Sequence, residues 1–201
     1  MSPSRIILAV HGVRSVGEWA DELEARLQAD ASFTGCLFES LDYPRLSAVL
    51  GWLSTWIRWA RHHHTGWMLR KLQDYQRRYP RVPIDIVAHS FGTHIVYHAL
   101  RLSLDRPPAV FIRKLILVGA VLKTAEPFGI VSGGLIQQVY IHWSHNDSVV
   151  LSAPPPFGHL GAHGSAITMP QIHNSKDWQL GHGGYWTSEV FFHTLIDQLR
   201  S

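Results

Sequence analysis

The chain has 201 residues, 46% hydrophobic and 16% charged, a balance that suits one packed globular core and argues against disorder. A formal net charge of +3, modulated by 14 histidines, is too small an excess to imply a nucleic-acid partner. The lone Cys36 has no partner for an internal disulfide, no apolar run nears the roughly 20 residues that span a bilayer, and the first residues lack the order of a signal peptide, so a cytoplasmic location is the expectation.

Residues 5–10 (RIILAV) form a continuous apolar run that stops at His11-Gly12, and 18–27 repeats apolar residues at helical spacing through Trp19, Leu23 and Leu27. This reads as strand, turn, helix. Residues 36–41 are a candidate second strand ending before Asp42-Tyr43-Pro44, since Pro44 biases Tyr43 toward extended geometry. From 45 to 78 the pattern is helical and rich in Trp and Arg, as one long helix or two broken near Gly66. Residues 84–88 (IDIVA) read as a buried strand and 89–104 as a helix after its first turn. Strands are expected at 111–121, entered through Pro107-Pro108, and at 137–143 (QQVYIHW), with a Gly133-Gly134 connection between them. Residues 151–164, rich in Pro, Gly and His, have no period and read as a loop; a last strand is expected at 166–172 and a closing helix at 185–199. Apolar strands alternating with helices predict an α/β fold: a mostly parallel sheet covered on both faces, in a single domain over 1–201.

A free serine hydroxyl is a poor nucleophile at neutral pH and needs a neighbouring base, a group that orients the base, and donors for the developing oxyanion. Ser90 has a setting for this. It lies where the strand 84–88 turns into a helix, in the pentad Ala88-His89-Ser90-Phe91-Gly92, whose small residues two before and two after it let a tight turn form. The plain alternative is a serine that caps a helix. The strand 137–143 runs into Ser144-His145-Asn146-Asp147, placing Asp147 beyond a strand's carboxyl end, where α/β sheets carry their catalytic groups. Its plain alternative is a turn residue beside Asn146. Glu126 and Asp177 are the other carboxylates in range, and Asp105 closes the helix after the pentad.

The pentad resembles the G-x-S-x-G nucleophile elbow of the α/β-hydrolase family, with Ala88 in place of the first glycine. The resemblance implies the chain order Ser, Asp, His, and Gly181-His182-Gly183-Gly184-Tyr185-Trp186 before the closing helix is similar to the family's G-H-x-x-Y/W segment. By that likeness Ser90 is the nucleophile, His182 the general base and Asp147 its orienting acid, with His173 and His163 as the alternative bases. It further implies an oxyanion hole from the amides of Phe91 and Val13, the latter in the loop that opens His11-Gly12, and substrate contacts at His11, Gly12, His89 and Trp56. The likeness runs from about Arg5 to the C-terminus and lacks the family's two leading strands, which implies a trimmed α/β-hydrolase fold of about six strands with helices on both faces.

The implied chemistry is acyl transfer on a small-molecule ester with an apolar part, using no metal or organic cofactor; thioesters and amides are alternatives on the same residues. Trp52, Trp56 and Trp59 fall on one helical stripe, suggesting a lid over an acyl pocket, a peripheral contact of segment 45–78 with an anionic membrane, or a helix packed on the sheet. A non-catalytic binding protein on the same fold is a further reading. The triplet His62-His63-His64 and the pair His159/His163 lack a carboxylate pattern for metal such as H-E-x-x-H.

Overall fold

The near-continuous apolar runs are what a strand needs when helices bury both of its faces, and they become the middle of one parallel sheet. The computed structural model describes residues 2–12, 18–42, 58–177 and 179–201. In chain order these form β1 (Arg5–Val10), α1 (Glu18–Ala29), β2 (Cys36–Leu41), α2 (Arg58–Arg78), β3 (Ile84–His89), α3 (Phe91–Asp105) and β4 (Ile112–Val118). There follow α4 (Pro127–Val131), β5 (Ile136–Trp143), the single turns α5 (Ser148–Leu151) and α6 (Leu160–His163), β6 (Ile172–Lys176) and α7 (Glu189–Arg200). The six strands lie in the order β2-β1-β3-β4-β5-β6, each pair parallel.

Alternation along each strand divides the core in two. Ile6, Leu8 and Val10 of β1, with Ile86 and Ala88 of β3 and Leu115 and Leu117 of β4, pack with Met68 and Leu72 of α2 and Ile95 and Val96 of α3. Ile7, Ala9, Val87, Ile116 and Val118 face the other way, onto Trp19 and Leu23 of α1 and Phe191 and Leu195 of α7. From β1 the chain steps outward to β2 on one side, then returns through α2 to β3 on the other. The direction of winding therefore reverses between β1 and β3, and the carboxyl ends of these two strands form the switch point at which ligands of open α/β sheets bind.

Several boundaries differ from the sequence expectations. The last strand is Ile172–Lys176, not 166–172. Pro170 has no N–H for a ladder, and the strand that does pair is polar because at the sheet edge it has β5 alone as a neighbour. Gly66 breaks nothing: α2 runs through it, the roughly 1 kcal/mol cost of an interior glycine being outweighed by burial of His64, Thr65, Met68 and Leu69 around it. Residues 45–57, including Trp52 and Trp56, lie outside the described residues, while Trp67 packs partly buried against the larger core. The stretch 151–164 is shaped by α5 and α6, with Gly158 and Gly161 pressed on the backbone of residues 119–123. Among the described residues no helix is long and apolar enough to cross a membrane.

Candidate active site

Ser90 sits between β3 and α3 with φ 54° and ψ −128°, the one non-glycine residue with positive φ among the described residues. A serine held there costs of order 1–3 kcal/mol, so the surroundings must impose it. They do so through backbone ties: the Ser90 amide donates to the Val118 carbonyl (3.0 Å), and the Ser90 carbonyl accepts from the amide and hydroxyl of Thr93 (3.0 and 2.6 Å). The small neighbours are also required, since a β-carbon on Gly92 would lie 2.5 Å from the His11 carbonyl oxygen and one on Gly12 would lie 2.8 Å from the Ser90 β-carbon. The turn presses the serine against the loop after β1, and the Phe91 amide opens α3 beside it, at the positive end of the helix dipole.

Facing this turn, His182 Nε2 lies 2.8 Å from Ser90 Oγ, and its Nδ1 lies 3.0 and 2.9 Å from the two carboxylate oxygens of Asp147. A carboxylate only accepts, so Nδ1 carries the ring hydrogen and Nε2 keeps a lone pair for the serine O–H. Asp147 is fully buried, caps α5, and accepts from the Val150 amide at 2.9 Å. Gly119, directly after β4, has φ +54°, and a β-carbon there would stand 3.1 Å from Asp147 Oδ2 and 3.2 Å from His182 Nδ1. Its place at the end of the ILVGA run was the signal for it, though only tertiary contact shows what it makes room for.

The other residues singled out by sequence are distributed as follows. Val13 and Trp56 lie outside the described residues. Gly12 faces Ser90, and the side chains of His11 and His89, expected as substrate contacts, are buried. His11 turns toward β2, its Nε2 2.6 Å from Ser40 Oγ, and His89 Nε2 lies 3.0 Å from the His182 carbonyl oxygen. Burial is the cause in both cases, since each ring packs in an aromatic cluster with Trp19, which itself stacks on Trp186 at 4.1 Å. No local spacing marks that cluster, because rings distant in sequence meet only in the fold. His89 is held neutral, its pKa pushed down to about 3, chiefly because burial penalises the charged ring.

Among the alternative groups, Asp177 lies 3.1 Å from His142 Nδ1, Glu126 accepts from the Lys123 amide with its pKa raised by burial, and Asp105 ends α3 in solvent. His173 stacks on Tyr140, and His163 ends α6 beside His145. No group of three or more His, Cys, Asp or Glu residues is arranged to hold a metal ion among the described residues.

No protein-family profile matches the chain, and no curated protein matches it by sequence. Solved structures match by shape over nearly the whole chain. One is an α/β-hydrolase enzyme from the metagenome of Mar Chica lagoon sediments in Morocco, with a TM-score of 0.63 at 15% identity, covering 99% of this chain and 92% of that one. A second is a zinc-bound, cold-adapted esterase from an Arctic intertidal metagenomic library, with a TM-score of 0.55 at 14% identity, covering 100% and 82%. A third is the thioesterase domain that cyclises the lipopeptide antibiotic surfactin, with a TM-score of 0.54 at 12% identity, covering 99% and 92%. The chain has the α/β-hydrolase fold, in a form built on six parallel strands.

Proposed function

We propose that this protein is a serine hydrolase that cleaves carboxylic esters through an acyl-enzyme, with Ser90 as nucleophile, His182 as general base and Asp147 as the acid that orients it. The observation carrying this reading is the His182 imidazole bridging Ser90 Oγ and the buried Asp147 carboxylate, both within 3.0 Å. His182 takes the serine proton as Oγ attacks the carbonyl carbon, and Asp147 stabilises the imidazolium that forms. The imidazolium then protonates the departing alcohol, and water activated by the same ring releases the acid. Negative charge on the carbonyl oxygen is met by the Phe91 amide at the start of α3, with Val13 as the proposed second donor; one such donor lowers the barrier by about 3 kcal/mol.

An apolar part in the substrate is supported by α5, which leaves Val149 and Leu151 exposed within four residues of Asp147. The test is labelling with a fluorophosphonate, followed by mass analysis of the modified peptide and by assays on ester, thioester and anilide substrates of graded chain length. Labelling at Ser90, lost in both Ser90→Ala and His182→Ala, with esters turned over best, is the expected result. Folded wild-type protein that neither labels nor turns over any of these substrates would overturn the reading in favour of a binding role.

A further inference from the structure

Between Leu180 and Tyr185, which pack on the core, the loop that delivers His182 brings little packing of its own. Three of its residues, Gly181, Gly183 and Gly184, have no side chain, and a β-carbon on Gly183 would meet nothing within 4 Å. The Gly184 amide to Gly181 carbonyl bond (2.9 Å) closes the loop on itself without tying it to the sheet. The sheet reaches it from below through His89, the last residue of β3 and the immediate predecessor of the nucleophile. The His89 ring is 4% exposed, lies 4.8 Å from the His182 ring, and is met edge-on by Trp186 at 5.3 Å. Its Nε2 points at the His182 carbonyl oxygen from 3.0 Å. A carbonyl oxygen only accepts, so the hydrogen of this neutral ring is on Nε2, which leaves the buried Nδ1 bare and without a hydrogen-bond partner.

We infer that His89 is a positioning residue: through its Nε2–H it holds the backbone of His182 to the end of β3 and so sets the reach of His182 Nε2 to Ser90 Oγ. The inference rests on the serine-hydrolase reading for its effect on rate, though not for the contact itself. One strand end thereby fixes both nucleophile and base, because β3 continues from His89 directly into Ser90. Desolvation keeps the ring uncharged, with the His182 ring and, less strongly, His11 as further disfavouring groups, and it outweighs the His182 carbonyl contact and Asp147, which favour charge. Neutrality matters, since a cation 4.8 Å from the His182 ring would oppose the imidazolium formed during attack.

Three variants separate the contact from plain packing. His89→Phe keeps a buried ring without the donor, His89→Gln returns an N–H near the place of Nε2, and His89→Lys adds a charge. With a p-nitrophenyl ester, His89→Phe is expected to lower kcat by about 10- to 100-fold with KM within about twofold, and His89→Gln to recover most of the loss. His89→Lys is expected to move the acid limb of the kcat profile to lower pH than wild type, by disfavouring charge on His182. Unchanged kcat in His89→Phe, or no recovery in a folded His89→Gln, would overturn the inference. Nitrogen-15 imidazole spectra of wild-type protein test the contact without activity: the Nε2–H tautomer should persist from pH 8 to 5. An Nδ1–H tautomer, or titration of His89 near its ordinary value of 6.5, would overturn the inference even if every variant failed to fold. Absence of labelling at Ser90 would count against the hydrolase reading alone, since the tautomer still decides whether His89 holds the loop.

Discussion

At the scale of single residues, the site depends on atoms that are absent as much as on those present. Gly119 occupies a backbone conformation that L side chains rarely adopt, and its missing β-carbon is the space in which Asp147 and His182 meet. Gly119→Ala is therefore expected to reduce kcat/KM by at least about tenfold, by prying that pair apart, while far-UV circular dichroism stays native. Full activity would mean that the pair is not held as described. Asp147→Asn should keep the fold but supply the wrong hydrogen to His182 Nδ1, with a loss of roughly 10³- to 10⁴-fold in kcat, measurable with an activated ester. Ser90, Asp147 and His182 could be picked out because each lies just beyond an apolar run or before the last helix, in the chain order that the resemblance to the α/β-hydrolase family implies. Gly119 and the Trp19–Trp186 stack could not, since their roles exist only where separate segments touch.

At the scale of elements, α7 shows how the end of the chain is fastened beneath the histidine loop. Ser188 caps it by accepting from the Phe191 amide (3.3 Å), and Phe191, Phe192, Leu195 and Leu199 bury its inner face. Its last carbonyls meet cations from the sheet: Arg5 and Arg113 donate to Leu199 (2.6 and 2.8 Å), and Lys114 donates to Gln198. Positive groups there also complement the negative end of the helix dipole. The fully buried Asp85 holds this cluster together, accepting from Arg113 Nε at 2.8 Å. Asp85→Ala leaves the guanidinium groups unbalanced and should destabilise the protein by about 3 kcal/mol in urea unfolding, whereas Asp197→Ala on the exposed face should change it by less than about 0.5 kcal/mol. Equal effects would show that Asp85 is not what holds the cluster. The helix itself was legible from its apolar spacing, but the clamp was not. In sequence Asp85 and Lys114 look like interruptions of two apolar strands, and only the register that sets Asp85 beside Lys114 explains them.

At the scale of the whole molecule, burial of neutral imidazoles links stability to pH. His89 takes up a proton near its ordinary value of 6.5 when unfolded but only near 3 when folded. Between those values the unfolded state binds more protons, so this contribution is complete above pH 6.5 and is lost as pH falls toward 3. His64, whose pKa burial also lowers, acts in the same sense. The urea midpoint of wild type is thus expected to fall more steeply from pH 6.5 to 4 than that of His89→Gln. Parallel slopes would show that His89 is not held neutral by the fold.

The sequence by itself determined the α/β class and the places of the central strands and of the helices between them. These follow from local periodicity and turn chemistry, which act over a few residues and survive without knowledge of neighbours. The tertiary structure alone decided that the last strand is the polar 172–176, that Gly66 lies within an unbroken helix, and that His11 and His89 are buried in the interior. Each of those outcomes is set by what packs on the residue from elsewhere in the chain: an edge with one neighbour, a buried helix face, a cluster of rings. Burial and partner choice are properties of the assembled sheet, and no window of sequence contains them.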